Sequence, residues 1–310
     1  MSRRLALILV LLSLTACATE TPVPPPLPTS TLPPATATLP PTETLTPQPT
    51  LTPTVTPLPG SLVIPITSMS SGSPWLPLDT TARPGLYYLG FTVGNPPFDN
   101  VLVRQALASS VDRIAIVALV DRYLPEWGAT PATSFTPPET LGLDLTGQVG
   151  LSFDPARAQE LLSEAGYTDP GAFPPVTIFV RTVGEYPGLP LKMAEAIAGM
   201  WREHLGIEVV VEATAAKLPA RVGSNPPDVF RMGWLADVND PDNFLYEIFR
   251  EGSAYNYGGW QDPEFLNLVS RAHVLSDPKL RQALYVEAER ILCESEAAVI
   301  PLFHTGQPTP

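Results

Sequence analysis

Apolar and polar positions alternate along this chain with two clear periods, and each period marks an element. Leu86–Val93 (LYYLGFTV) is aromatic and β-branched and lies between Gly85 and Gly94, which predicts a strand. Asp99 or Asn100 can cap a helix whose apolar face includes Val103, Leu107, Val111 and Ile114. Phe153–Gly166 predicts a second helix, with Asp154 as N-cap, Pro155 at the first helical position and Gly166 as its stop. Val176–Arg181 reads as a strand and Leu189–Leu205 as a long helix with Met193, Ile197, Met200 and Trp201 on one face. Ile207–Glu212 (IEVVVE) is strand-like again, so this run forms a strand–helix–strand unit with parallel strands and a right-handed crossover. Asp228–Trp234 predicts another short strand. Asp262-Pro263 and Asp277-Pro278 each open a helix by the same cap-plus-proline device. In the second, Lys279–Leu292, the apolar face reads Leu280, Leu284, Ala288 and Ile291. Ala297–Phe303 (AAVIPLF) is a closing strand.

Two stretches break this pattern. Residues 1–17 carry Arg3 and Arg4 ahead of the apolar core Leu5–Leu14, which is too short to span a bilayer. Residues 1–16 therefore read as a signal peptide. Leu14-Thr15-Ala16-Cys17 resembles a bacterial lipobox. That resemblance implies cleavage before Cys17, a thioether-linked lipid on its sulfur and a membrane anchor. Residues 18–60 hold 14 Pro and 13 Thr. Proline fixes φ and removes donors, so 17–60 reads as a disordered tether, reaching at most roughly 130 Å at about 3.1 Å per residue. The domain proper is then expected over 61–310.

Composition narrows the function. With 18 basic and 31 acidic side chains the net charge is −13. A nucleic-acid partner needs a basic face, so none is expected. Of the two cysteines, Cys17 is assigned to lipid, and Cys293 reads as a small buried hydrophobe. The three histidines lie far apart, and there is no HExxH, CxxC pair, phosphate-cradling glycine loop or GxSxG elbow. Asp237–Asp242 fails the calcium-loop spacing, because Pro241 takes a ligand slot and Asp242 stands where glycine is required. Asp237 and Asp240 share one loop, whereas a glycosidase pair flanks a cleft. The expectation is a binding protein with no cofactor and no metal, not an enzyme.

The densest chemistry lies in Phe230–Phe265. Trp234, Tyr246, Tyr255, Tyr257 and Trp260 alternate there with Asp237, Asn239, Asp240, Asp242, Asn243 and Asn256. Aromatic plates among carboxylates and amides suit a pocket for a polar, partly cationic small molecule. The competing reading is that the rings are core and the acids are caps.

GWLADVNDPDNFL, NYGGW, QDPEF and the earlier YYLGF…PPFDNVLVRQALASSVDR together resemble the bacterial extracellular solute-binding proteins of family 5, over about Gly85–His304. These are oligopeptide, dipeptide and nickel receptors of ABC importers. The resemblance implies an α/β fold, one lobe of a class II periplasmic-binding-protein-like clamshell with a mixed sheet flanked by helices. In peptide-binding members the acid of a Trp-x-x-Asp motif pairs with the ligand's α-ammonium; Trp234 and Asp237 occupy those positions, and the alternative for Asp237 is a helix cap. Asn256, Tyr257 and Trp260 complete the expected ligand-binding set. Arg104, Gln105, Asp112 and Arg113 are expected to be structural. Leu266 and Ala298 depart from the family's Asp and Pro. The long first-lobe region of the family is expected to be missing, leaving mainly lobe two. The implied function is a lipid-anchored substrate-binding component of an ABC importer, taking a peptide or other small polar solute, on the outer face of the cytoplasmic membrane. The alternative is a surface interaction module with no small ligand. With lobe one missing, Trp234, Tyr255, Tyr257 and Trp260 should form an exposed patch that self-associates or meets a separate first-lobe protein.

Overall fold

Six strands form one mixed sheet in the order β2–β6–β1–β5–β3–β4. They are β1 (Gly85–Phe91), β2 (Thr130–Pro131), β3 (Val176–Arg181), β4 (Val209–Thr214), β5 (Val229–Leu235) and β6 (Val299–Thr305). The structure is a computed structural model that describes residues 83–306, apart from 139, 141, 143, 146, 184, 185 and 187. The signal segment, Cys17, the Pro/Thr-rich stretch and the expected domain start at 61 lie outside the described residues. Strands β4, β3 and β5 run parallel, and β1 runs antiparallel to both β5 and β6. Eight helices accompany the sheet among the described residues: α1 (Val101–Ser109), α2 (Arg113–Asp121), α3 (Pro155–Glu164), α4 (Leu189–Leu205), α5 (Leu218–Val222), α6 (Leu245–Phe249), α7 (Pro263–Val274) and α8 (Pro278–Arg290).

Strand alternation divides the core. Leu89 and Phe91 of β1, with Ile178 and Val180 of β3 and Val229 of β5, pack against α1–α4 around the fully buried Trp201. Leu86 and Tyr88 point the other way, into a second cluster with Phe244, Leu245, Phe265 and Tyr285 from α6–α8 and the turn before α6. Each face is apolar because each is covered, as a sheet with helices on both sides requires.

The β3–α4–β4 unit forms as expected, with β3 and β4 paired in parallel from Val176↔Val209 to Arg181↔Thr214. The long helix expected after Asn100 is two. Asn100 caps α1, and the Asp112 carboxylate accepts from the N–H groups of Ile114 and Ala115 to start α2. The break leaves Val111 buried between the helices and turns Ile114 outward, 72% exposed. Of the stripe expected in α8, Ala288 and Ile291 are buried and Leu284 half-buried, but Leu280 is exposed, and Tyr285 and Glu289 join the buried face. The Pro/Thr loop after Gly128 also contributes β2, which pairs with His304 and Phe303 at the sheet edge, where Pro131 costs no ladder bond.

Buried polar groups tie these parts together. The Glu289 carboxylate accepts from the backbone N–H groups of Phe135 and Thr136, each at 2.7 Å. Arg104 donates to the Phe98 carbonyl and to Glu296, Gln105 to the carbonyls of Glu294 and Ser295, and Arg113 to the Pro301 carbonyl. Cys293 is buried in a π-helical turn, Ile291–Ser295, that follows α8.

Candidate functional site

In an open α/β sheet, ligands sit beyond the carboxyl ends of the parallel strands. Here those ends are Arg181, Thr214 and Leu235, and the register Gly85↔Leu235 and Gly85↔Thr305 brings the start of β1 and the end of β6 to the same edge. Two groups of side chains gather there, on opposite faces of the sheet.

The first group follows β5. Asn243 Oδ1 accepts from Trp234 Nε1 at 3.1 Å and from the Asp237 N–H at 3.0 Å, which fixes the bend out of the strand. Arg83 donates from Nε to the Ala236 carbonyl and from a terminal nitrogen to Asp237 Oδ1, both at 2.6 Å. The Asp237 side chain remains 75% exposed. It caps no helix among the described residues; Asp240 instead caps the turn at Pro241–Asn243. The other acids of the loop are engaged elsewhere. Arg281 grips Asp240 with two bonds of 2.7 and 2.9 Å, and Asp242 accepts from the Tyr285 hydroxyl and faces His273. Trp234 meets Tyr255 edge-on at 4.8 Å.

The second group lines a pocket of about 310 Å³ on the α4 side, bounded by Tyr87, Trp127, Arg181, Tyr186, Leu189 and Arg231, among others. Odd positions of β1 and β5 face this way, so Tyr87, Arg231 and Gly233 share it while Trp234 does not. A Cβ at Gly233 would come within 2.8 Å of the Tyr87 ring, so glycine lets that ring lie across β5. Tyr87 stacks on Trp127 at 5.1 Å and on Phe303 at 4.8 Å, and Trp127 meets Tyr186 edge-on at 4.8 Å. The Arg231 guanidinium lies 4.5 Å from the Tyr87 ring centre. Burial lowers the Arg231 pKa, partly offset by Tyr87, and its Nε has no hydrogen-bond partner among the described residues.

The five expected ligand residues are therefore not brought into one pocket. Asp237 and Trp234 stand at the carboxyl edge. Trp260 is buried against Phe249 and Phe265, and its carbonyl accepts from the Asn256 side chain at 2.6 Å. Tyr257 lies edge-on to Phe230, and the Gly258 carbonyl accepts from Val93, toward the amino ends of the parallel strands. The crevice among these residues measures about 10 Å³, room for one water at most. The expected exposed patch is corrected accordingly. Phe249 of α6 and Phe265 of α7 cover Trp260, leaving Tyr255 exposed and Trp234 and Tyr257 half-buried. The pocket residues Tyr87, Trp127 and Arg181 lie outside Phe230–Phe265 in three separate segments and escape a reading centred there, and Arg231, inside it, was not singled out. One signal was present, an arginine inside an otherwise apolar strand, which is uncommon unless the residue is used.

The model for bacterial extracellular solute-binding proteins, family 5 Middle, matches residues 59–256. The chain belongs to this family. The periplasmic oligopeptide-binding protein OppA of Escherichia coli K12 is 32% identical over 224 residues, 70% of this chain and 39% of that protein. The dipeptide-binding protein of Pseudomonas aeruginosa is 31% identical over 234 residues, 74% of this chain and 42% of that one. The dipeptide-binding protein from Pseudoalteromonas sp. SM9913, solved in complex with Met-Leu, superimposes with a TM-score of 0.62 at 29% identity, over 72% of this chain and 43% of that chain. The chain thus spans about two-fifths of the length of these relatives. The fold is one lobe of a periplasmic-binding-protein-like clamshell, with a mixed sheet flanked by helices.

Proposed function

We propose that this chain is a substrate-binding component of an ABC importer for short peptides, held at the outer face of the cytoplasmic membrane by lipid on Cys17. The observation that carries the reading is the pairing of charges at one edge of the sheet. Asp237 offers an exposed carboxylate, and among the described residues that line the pocket the charged ones are Arg181 and Arg231. A zwitterion with separated ends, ammonium toward Asp237 and carboxylate toward the arginines, matches that polarity. Arg231 and Asp237 are six positions apart, at most roughly 20 Å of extended backbone, which suits a peptide of a few residues. Relatives described as oligopeptide- and dipeptide-binding proteins support the same ligand class.

Arg83 already pairs with Asp237. An ion pair this exposed contributes about 0–1 kcal/mol, so a ligand ammonium can displace or share it at little cost. Trp234, held by Asn243, forms the wall beside that carboxylate. Asn256, Tyr257 and Trp260 support the loop that carries Tyr255 against Trp234.

The test is calorimetric titration of the full chain with tetra-alanine and its N-acetyl form. Asp237→Asn should weaken free tetra-alanine at least tenfold, while the acetylated peptide should bind both proteins equally weakly. Absence of peptide binding, or equal affinity of the variant for tetra-alanine, would overturn the reading. One observation favours a second reading, a protein interaction surface: Leu235, Val238 and Tyr255 beside Asp237 are 50%, 46% and 41% exposed. Self-association, or capture of a separate first-lobe protein, without peptide binding would select it.

A further inference from the structure

We propose that the pocket on the α4 side selects a ligand residue bearing an aromatic ring beside its carboxylate, and that Trp127 is the specificity-determining residue. This rests on the peptide-binding reading above and names the residue the pocket prefers. Its volume comes first. A dry cavity of roughly 150 Å³ accommodates a benzene molecule, and this pocket of about 310 Å³ offers space for one ring and the carboxylate next to it, not for a whole peptide. Binding pockets begin near that size.

The walls come second. Tyr87, Trp127 and Tyr186 present three rings in series, and Leu189 and Pro190 at the start of α4 close another side. Aromatic pairs in stacked or edge-on geometry add about 0.5–1.5 kcal/mol beyond the area they bury, so such walls favour a ring over a methyl group. Trp127 is central, because it touches both Tyr87 and Tyr186.

The charge comes third. Arg231 is half-buried with its guanidinium over Tyr87, and its buried Nε has no hydrogen-bond partner among the described residues. A buried donor left unpaired is costly, and a carboxylate is the acceptor that matches a guanidinium fork. Arg181, at the exposed end of β3, is a second cation on the same pocket.

The experiment titrates the full chain with Ala-Ala-Ala-Phe, tetra-alanine and the C-terminal amide of Ala-Ala-Ala-Phe. The phenylalanine peptide should bind at least tenfold more tightly than tetra-alanine, and the amide should lose at least tenfold. Trp127→Leu should lower the phenylalanine-to-alanine affinity ratio severalfold. Tyr186→Leu, at a partly exposed position that tolerates change, should lower it too if Trp127→Leu fails to fold. Equal affinity for phenylalanine and alanine peptides in the unmodified chain, or a ratio unchanged in the folded variants, overturns the selectivity while leaving peptide binding intact. Failure of every peptide to bind overturns both.

Discussion

His304 is an imidazole that folding keeps uncharged. It lies in β6 with 2% of its surface exposed, its Nε2 3.0 Å from the Ser134 carbonyl, and burial lowers its pKa from 6.5 to about 4. The unfolded chain therefore takes up a proton at a pH where the folded chain does not. Stability from this group is present above pH 6.5 and is lost as pH falls toward 4. Glu289 works in the opposite sense. Burial raises its pKa, so its contribution declines as pH rises above the ordinary carboxyl range. Comparison with His304→Gln separates the two. Between pH 7 and 4.5 the unmodified protein should lose about 2 kcal/mol more urea stability than the variant. Equal losses would show that His304 does not titrate across folding. At this scale the sequence exposed chemistry unevenly. Asp237 could be singled out, because a motif marks it. The neutral state of His304 could not, because it depends on a loop that lies about 170 positions away in the chain.

Helices begin where a side chain satisfies their first N–H groups, and that rule was readable wherever aspartate or asparagine stands alone before an apolar run. Asn100, Asp154, Asp262 and Asp277 all cap as expected. Asp112 was legible only as a polar residue within one long helix, because Val111 and Ile114 preserve the apolar spacing across the break. Removing this cap by Asp112→Ala should cost about 1 kcal/mol in urea unfolding, and Asp112→Asn should recover most of it. A loss no larger than measurement error would mean that packing of Ile116 and Val120, not the cap, sets the start of α2. Strand alternation settles the wider question of the site. Spacing places Arg231 and Trp234 on opposite faces, but only the cover of each face shows which side keeps a pocket. Helices α6 and α7 fill the Trp260 side with Phe249 and Phe265, whereas the α4 side leaves a hollow beside Tyr87.

The whole molecule carries a net charge of −13, yet the charged groups among the described residues lining its pocket are two arginines. On the proposed reading, that contrast puts recognition of an anionic group in short-range contacts, since long-range repulsion is screened beyond about 8–10 Å at physiological salt. The lobe architecture was legible as a series of segments from β1 to β6, because caps and strand periods agree with the family pattern along that span. The pocket was not, since Tyr87, Trp127, Arg181 and Arg231 meet only after the sheet assembles. Attachment to a membrane is a separate matter of chemistry. No helix among the described residues is long and apolar enough to cross a bilayer. The Leu5–Leu14 core is also too short, so on the proposed reading anchoring depends on the acyl groups added around Cys17. A single acyl chain binds membranes only marginally and reversibly, whereas two anchor stably. Cys17→Ser should therefore move the protein from the membrane to the soluble fraction, or leave it as an unprocessed precursor of higher mass. Peptide affinity should stay the same, because residue 17 lies far along the chain from Asp237 and Arg231. Membrane fractionation and mass analysis of the N-terminus read both outcomes, and identical fractionation with identical mature mass would remove the anchor from the proposed function.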